Sequence, residues 1–289
     1  MYSPKFLPTL SGKTTELPPM RFGMTHTEGI ISCDDPGIDP CHIHGYLEIY
    51  FNVSGEVGFL VNDKLYPVSP GNAIISRPND VHVCVYKDTS FHEYFCLWID
   101  ADLSSPAFAF LGKEGFSPSF SFREAETQQL VSLLNRLFRL HKTGENDFLA
   151  TVCLLEILFL LNDEKTEEIE ESALPEAFRH IIDDIRLRYA EIRSVNDILS
   201  THFVSSSTLT RWFRTYINTS PREYLESQKL AGALKRLKDG ASVTEACINS
   251  GFSDCAHFIA RFKTKFGETP LQYKRRMLGA LPQPVKPHL

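Results

Sequence analysis

No stretch of this sequence reaches the roughly 18–20 consecutive apolar residues that a membrane-spanning helix needs. The most apolar run, Val152 to Leu161, is interrupted by Glu156 and reads as a buried helix. The first residues scatter Lys5 and Lys13 among prolines, without the basic-then-apolar pattern of a secretion signal. The seven cysteines are odd in number and lack framework spacing, which argues against a disulfide-stapled secreted domain and for a reducing compartment. A cytoplasmic location is therefore expected. With 16 glycines and 17 prolines in 289 residues, the chain is neither collagenous nor low-complexity. What remains is an ordinary globular composition, 43% hydrophobic and 23% charged, at a length suited to about two domains.

The net charge of −6 conceals an asymmetry. Up to Ala177 there are 12 Lys and Arg against 26 Asp and Glu, a net of −14, whereas the remainder holds 18 against 10, a net of +8. Only the second part has the charge to approach a polyanion.

From about Arg21 to Ile99 the chain alternates apolar and polar residues between turn signals. These signals are Ser54-Gly55, Asn62-Asp63, Pro70-Gly71 and Pro78-Asn79-Asp80. Short strands at this spacing predict an antiparallel sandwich or small barrel. The period changes at Glu124, where Leu130, Leu133, Leu134, Leu137 and Phe138 follow helical spacing. A second helix, Phe148 to Leu161, is apolar on most sides and must be buried against something, either the barrel or a second subunit. Asp163 to Glu171, with six acids and one lysine, reads as a solvated linker. Beyond Pro175 every segment reads as helix. Capping patterns recur at Ser194–Asp197, Ser220–Glu223, Ser242–Glu245 and Thr269–Gln272, and left-handed stops are expected at Asn218, Gly240 and Gly267. The expected fold class is α+β. A barrel occupies 1–120, a helical dimerisation segment 121–162, an acidic linker 163–174, a helical domain 175–278 and a flexible tail 279–289.

The helical part contains its own copy. Ser194-Val195 recurs as Ser242-Val243 after 48 residues, and from Leu209 to Tyr224 the offset is 49. At that offset Leu209 pairs with Phe258, Phe213 with Phe262, Arg214 with Lys263, Ser220-Pro221 with Thr269-Pro270, and Tyr224 with Tyr273. Each unit is a short helix, a turn and a second helix carrying basic side chains, among them Arg211, Arg214, Arg261 and Lys263. That is the helix-turn-helix layout, in which the second helix enters a major groove. The segment Pro221 to Lys238 would space the two units by about 27 Å of helix plus their radii, close to one DNA turn.

Residues 194 to 276 resemble the DNA-binding domain of the AraC/XylS family of transcription regulators. Gly251-Phe252-Ser253-Asp254, Phe258, Arg261-Phe262-Lys263, Phe266-Gly267, Thr269-Pro270 and Tyr273-Lys274-Arg275 carry the resemblance. It implies that Ser206, Ser207, Thr210 and Arg211 face bases from the first reading helix, and Cys255, Ala256, His257 and Ala260 from the second. Arg214 and Lys263 would hold phosphates. Phe203 departs from the family, standing where a glycine usually opens the first turn. A double-stranded operator and a homodimer follow as expected partners.

The amino-terminal part carries His42-Ile43-His44, Glu48 and Gly55, then Pro78-Asn79-Asp80-Val81-His82, and resembles the cupin barrel. Positions 42, 44 and 48 share parity, so on a continuous strand their side chains face one way. Two readings stand side by side. In one, His42, His44, Glu48 and His82 bind a Zn, Mn, Fe or Ni ion, as in a metal sensor or a metal-dependent cupin enzyme fused to a DNA-binding module. In the other, no cofactor is held, and His42, His44, Tyr46, Glu48, Tyr50, His82, Tyr94 and Trp98 line a pocket for a small-molecule effector, a sugar or related metabolite by the resemblance. The overall expectation is a non-enzymatic, effector-controlled transcription regulator.

Overall fold

The computed structural model describes residues 20–31, 41–114, 116–144, 146–163 and 174–277. The expected linker 163–174, apart from its two end residues, and the expected tail 279–289 lie outside the described residues.

Among the described residues the strands are β1 (Arg21–Ile31), β2 (Leu47–Ser54), β3 (Val57–Val61), β4 (Lys64–Val68), β5 (Asn72–Ser76), β6 (His82–Tyr86), β7 (Ser90–Asp100) and β8 (Ser119–Ser121). They pair into a five-stranded sheet, β1-β7-β2-β5-β8, and a three-stranded sheet, β4-β3-β6. This bears out the expected fold class, a sheet-rich amino-terminal part followed by a helical part. The named strands do not close into one hydrogen-bonded cylinder, and the arrangement is a two-sheet sandwich compatible with a cupin-like jelly roll. The sheets separate because β2 bulges against β7 between Asn52 and Ser54 and then turns at Gly55, whose φ is +88°. The Asn52 amide ties this corner by donating to the Gly55 carbonyl at 2.6 Å and the Val68 carbonyl at 2.8 Å.

Strand alternation sends side chains into three stacked cores. Leu47, Ile49, Phe51, Phe95, Leu97 and Ile99 face outward from the larger sheet and are covered by α1 (Glu124–Thr143) and α2 (Asp147–Asp163). Between the sheets lie Tyr50, Val57, Phe59, Val61, Tyr66, Val68, Ile74 and Tyr86. On the far side of the small sheet, Leu60, Leu65, Val83 and Val85 join the core of the helical part. The order of layers is therefore helix pair, large sheet, small sheet, helical part. The apolar α2 is buried against the large sheet through Cys153, Leu154, Ile157 and Leu158, while Phe148 and Phe159 remain 75% and 65% exposed.

The helical part comprises α3 (Glu176–Arg188), α4 (Val195–His202), α5 (Ser206–Ile217), α6 (Pro221–Lys238), α7 (Val243–Asn249), α8 (Cys255–Phe266) and α9 (Pro270–Met277). The repeat is built as two matching units, α4–α5 and α7–α8. Asp197 and Glu245 accept the backbone N–H groups of Ser194 and Ser242. Asn218 and Gly267 end α5 and α8 in the left-handed region. α6 runs between the units with Tyr224, Ala233, Leu234 and Leu237 wholly buried.

The two turns solve one geometric problem with different residues. Gly251 has φ +81°, and a Cβ there would lie 2.5 Å from the Ala190 carbonyl oxygen. At the matching place, Phe203 adopts φ 51° and ψ 38° with its ring 95% exposed. A left-handed backbone strains a residue with a Cβ, and this ring recovers little by packing. Phe203→Gly is therefore expected to raise stability by about 1 kcal/mol, the strain relief offset in part by the unfolded-state freedom of glycine. Urea unfolding checks this, with a higher midpoint at unchanged m-value as the expected result.

Candidate functional site

Two surfaces hold the residues singled out in the sequence. On the helical part, Ser206, Ser207, Thr210 and Arg211 are exposed on α5, together with Arg214 one turn further on. Ser205 caps this helix, its hydroxyl accepting the Thr208 N–H at 3.1 Å. On α8, Ala256, His257, Ala260 and Lys263 are exposed and Cys255 is partly so. The opposite faces, through Leu209, Phe213, Phe258 and Phe262, are fully buried. Amphipathic burial thus turns both reading faces outward. Arg261 is engaged within the protein, its Nε donating to Glu226 of α6 at 2.5 Å.

Inside the sandwich, His42, His44, Glu48 and His82 converge, with one ligand atom from each within 4.8 Å of the others. His42 and His82 are joined by a backbone bridge, and both N–H···O bonds measure about 3 Å (2.9 and 3.0 Å). Segment 41–46 is irregular and not a continuation of β2, so shared parity alone does not produce the convergence. The bridge to β6 does. Trp98 of β7 completes the group by donating its indole N–H to Glu48 at 2.6 Å.

The hydrogen bonds of this cluster do not balance with neutral histidines. His44 Nδ1 lies 3.0 Å from the Tyr46 carbonyl and its Nε2 lies 3.0 Å from Glu48. Both partners are acceptors, and a neutral imidazole has only one N–H. His82 Nδ1 lies 2.9 Å from the Asp80 carbonyl, whereas its Nε2 stands 3.5 Å from Glu48 without a hydrogen bond. Burial disfavours charge on Glu48, but His82 and His44 outweigh it and hold the carboxyl well below the usual range. Burial also opposes a proton on His82, yet Glu48 beside it raises that histidine above its ordinary value. Burial lowers His42 and His44. A neutral His44 is left with an acceptor facing an acceptor. A divalent cation among the four side chains removes the conflict. Each Nδ1–H would then keep its backbone carbonyl and leave Nε2 available to hold the ion. The residues present fit a Zn, Mn, Fe or Ni ion by their donor set.

The remaining effector candidates divide. Tyr46 stacks on His44 with ring centroids 3.9 Å apart. Tyr50 and Tyr94 instead stack on each other at 4.8 Å in an adjoining aromatic group with Phe59 and Tyr86. Trp98 enters through its N–H and not through ring stacking. Cys84 and Tyr86 also face this interior beside Tyr50, and the sequence reading did not select them. The alternation of β6, in which 82, 84 and 86 share a side, was the signal that could have found them. A surface groove of about 550 Å³ lies elsewhere, between Arg77, Asn79, Phe108, Leu111 and Lys238.

The wall between the cluster and the helical part is one sheet thick. His42, His44 and His82 face the cluster, while Cys41, Ile43, Val81, Val83 and Val85 belong to the helical core. The Cys41 carbonyl accepts from Ser227 of α6 at 3.0 Å and from Lys265 of α8 at 3.4 Å. Tyr224 of α6 donates to the Asn62 carbonyl at 2.9 Å in the β3–β4 turn.

Residues 200–276 match the helix-turn-helix domain family and residues 26–159 match the AraC-like ligand binding domain family. The chain is similar to two uncharacterized HTH-type transcriptional regulators of Bacillus subtilis. YbfI is 26% identical over 221 residues, covering 75% of this chain and 80% of the relative. YdeC is 24% identical over 283 residues, covering 91% and 94%. The HTH-type transcriptional activator RhaS of Escherichia fergusonii is 27% identical over 253 residues, covering 83% and 88%. These relatives are regulators and not enzymes, which sets aside the cupin-enzyme reading. With a matched ligand-binding part preceding a matched reading part, the chain belongs to the AraC/XylS family of DNA-binding, effector-responsive transcription regulators.

Proposed function

We propose that this regulator acts in the cytoplasm as a homodimer. Bases are read by Ser206, Ser207, Thr210 and Arg211 of the first unit and by Cys255, Ala256, His257 and Ala260 of the second. Arg214 and Lys263 hold phosphates. The supporting observation is the outward presentation of both reading faces on helices whose other sides are fully buried. Among these residues Arg211 has the chemistry for a bidentate contact to guanine. The small side chains of α8 suit thymine methyls or positioning.

Dimerisation is assigned to 121–162. Phe148, Val152, Leu155 and Phe159 recur at helical spacing on the side of α2 away from the large sheet, with the two phenylalanines mostly exposed. A second copy of this helix is the occupant proposed for that stripe, because paired chains supply the repeated reading units that a long operator requires.

The effector is proposed to bind at His42, His44, Glu48, His82, Tyr46 and Trp98, with Tyr50 and Tyr94 in the adjoining interior. An organic ligand such as a sugar would use the same hydrogen-bonding groups and would need the stacked tyrosines to part. The unbalanced hydrogen bonds of His44 favour a second reading, a divalent metal ion as the effector. In either case occupancy on one side of the small sheet is felt on the other through Cys41, Ile43 and the odd-numbered residues of β6. That coupling requires different effector affinity in the two arrangements of the reading part.

Three outcomes are expected. First, the protein enriches a specific duplex from a random library. Arg211→Ala then costs about 1–3 kcal/mol and relaxes one base position, while Arg214→Ala weakens all sequences evenly and flattens the salt slope by about one ion. Fluorescence anisotropy across salt concentrations separates the two. Second, Phe159→Asp shifts the sedimentation coefficient of the full chain from dimer to monomer; an unchanged wild-type monomer would defeat the dimer assignment. Third, chelator-treated protein gains thermal stability on adding Zn, about 2.7 kcal/mol at a hundred times the dissociation constant. His44→Ala loses that gain. Ser227→Ala keeps it but weakens the effect of Zn on DNA affinity. No shift with Zn, Mn, Fe or Ni leaves the organic effector.

A further inference from the structure

The second reading unit holds two thiols in contact. Cys247 of α7 is fully buried, Cys255 is the first residue of α8 and partly exposed, and their sulfurs lie 2.8 Å apart. Both are free thiols. The turn between them is rigid, since Gly251 is packed against the Ala190 backbone and the Cys247 thiol also points to the Phe252 carbonyl at 3.8 Å. The internal repeat supplies a comparison. At the matching places the first unit has Leu199 and Ser206, so a helix-turn-helix of this design packs without any thiol pair. The dithiol is particular to the second unit and is not demanded by the fold.

We propose that Cys247 and Cys255 form a redox-modification site, oxidised by a small hydroperoxide to an intramolecular disulfide that turns down DNA binding by the second unit. Cys255 is the partly exposed residue of the pair, while Cys247 is fully buried. Burial pushes the Cys247 thiol up to about 12, which suits the resolving partner and not the first nucleophile. The Cys255 thiolate attacks hydrogen peroxide, forming an S–O bond as the O–O bond breaks, and the departing hydroxide takes a proton as water. The resulting sulfenic acid is attacked by Cys247, so the S–S bond forms as the S–O bond breaks. The second hydroxide leaves as water with the Cys247 proton. Two thiols are oxidised by two electrons, and one peroxide is reduced to two waters.

The cross-link matters because of where it falls. The first residues of a reading helix approach base edges, and the disulfide ties that end of α8 to α7 and removes the thiol at a proposed base-facing position. The effect on DNA rests on the reading role proposed above, whereas the cross-link itself does not.

The test uses the full chain, hydrogen peroxide and the library-selected duplex. A Cys247–Cys255 linked peptide is expected in non-reduced digests. The oxidised protein should bind the duplex at least fivefold more weakly, with full recovery in dithiothreitol. Cys247→Ala should bind as well as wild type when reduced and, without a resolving thiol, should give no linked peptide and carry the oxidation on Cys255 alone. If that variant fails to fold, Cys255→Ser serves for the mapping, with the linked peptide expected to vanish. Absence of the linked peptide in wild type, with Cys255 unmodified or carried to the sulfinic acid, overturns the site. A linked peptide with unchanged affinity overturns its control of DNA binding. Failure of the reduced protein to select any duplex is a different result, and one that strikes the reading role alone.

Discussion

The rest of this structure depends on a sheet wall that has no spare layer. Along 41–44 and β6, successive side chains alternate between the cluster around Glu48 and the core of the helical part. His42 and His44 cannot move without Cys41 and Ile43, because the peptide units between them are planar and stiff. Cys41 is in turn fixed by its carbonyl to α6 and α8, the spine of the helical part and one of its reading helices. The cluster and the core of the helical part are therefore joined by covalent geometry and close packing, with no intervening layer. This is an argument from two faces of one strand, and double-mutant coupling across the wall is the physical form it would take.

Glu48 sets the electrostatic terms on the inner face. A buried carboxylate requires compensation by charge and hydrogen bonds, and here Trp98 donates to it, His44 lies at hydrogen-bond distance and His82 stands close by. Each histidine is already committed to a backbone carbonyl through its other nitrogen. The cluster thus ties segment 41–46 to β2, β6 and β7 through one carboxylate. Stability of the wall and occupancy of the site are linked for that reason.

Much of the reading part was legible in the sequence because its signals are local. Ser194, Ser220 and Ser242 announce helix starts, Asn218 and Gly267 announce stops, and a 49-residue offset aligns buried phenylalanines. The convergence of His42, His44 and Glu48 was legible from parity, although the bridge to His82 brings it about. Closure of the sandwich was not legible, since which strands pair depends on the corner at Asn52 and Gly55 and not on periodicity. The double burial of β3 was visible as a run of apolar residues, but nothing local says that its second face meets Tyr224 and its neighbours. Tyr50 and Tyr94 were assigned to a pocket by facing direction alone. Their mutual stacking is a cross-strand contact that a single strand pattern does not contain.

The two reading units show how a duplicated design diverges without losing its geometry. Both need a left-handed residue at the turn. Gly251 is held there by the Ala190 backbone against it, a close approach that excludes any Cβ. Phe203 meets no such neighbour, its ring stands in solvent, and the strain is confined to the backbone. The first unit therefore tolerates a residue that the second could not. The same logic applies to Leu199 and Cys247, equivalent core positions where only the second unit places sulfur against sulfur. The constrained unit is packed on the turn that follows α3, and Lys265 at its end reaches the Cys41 carbonyl. The first unit, with Arg211 exposed and a looser turn, is the one whose side chains carry the stronger base-reading chemistry. Both units also meet the sensor, α5 against β6 of the small sheet and α8 through Lys265 on the Cys41 carbonyl, so the divergence of the two turns leaves each unit in contact with it.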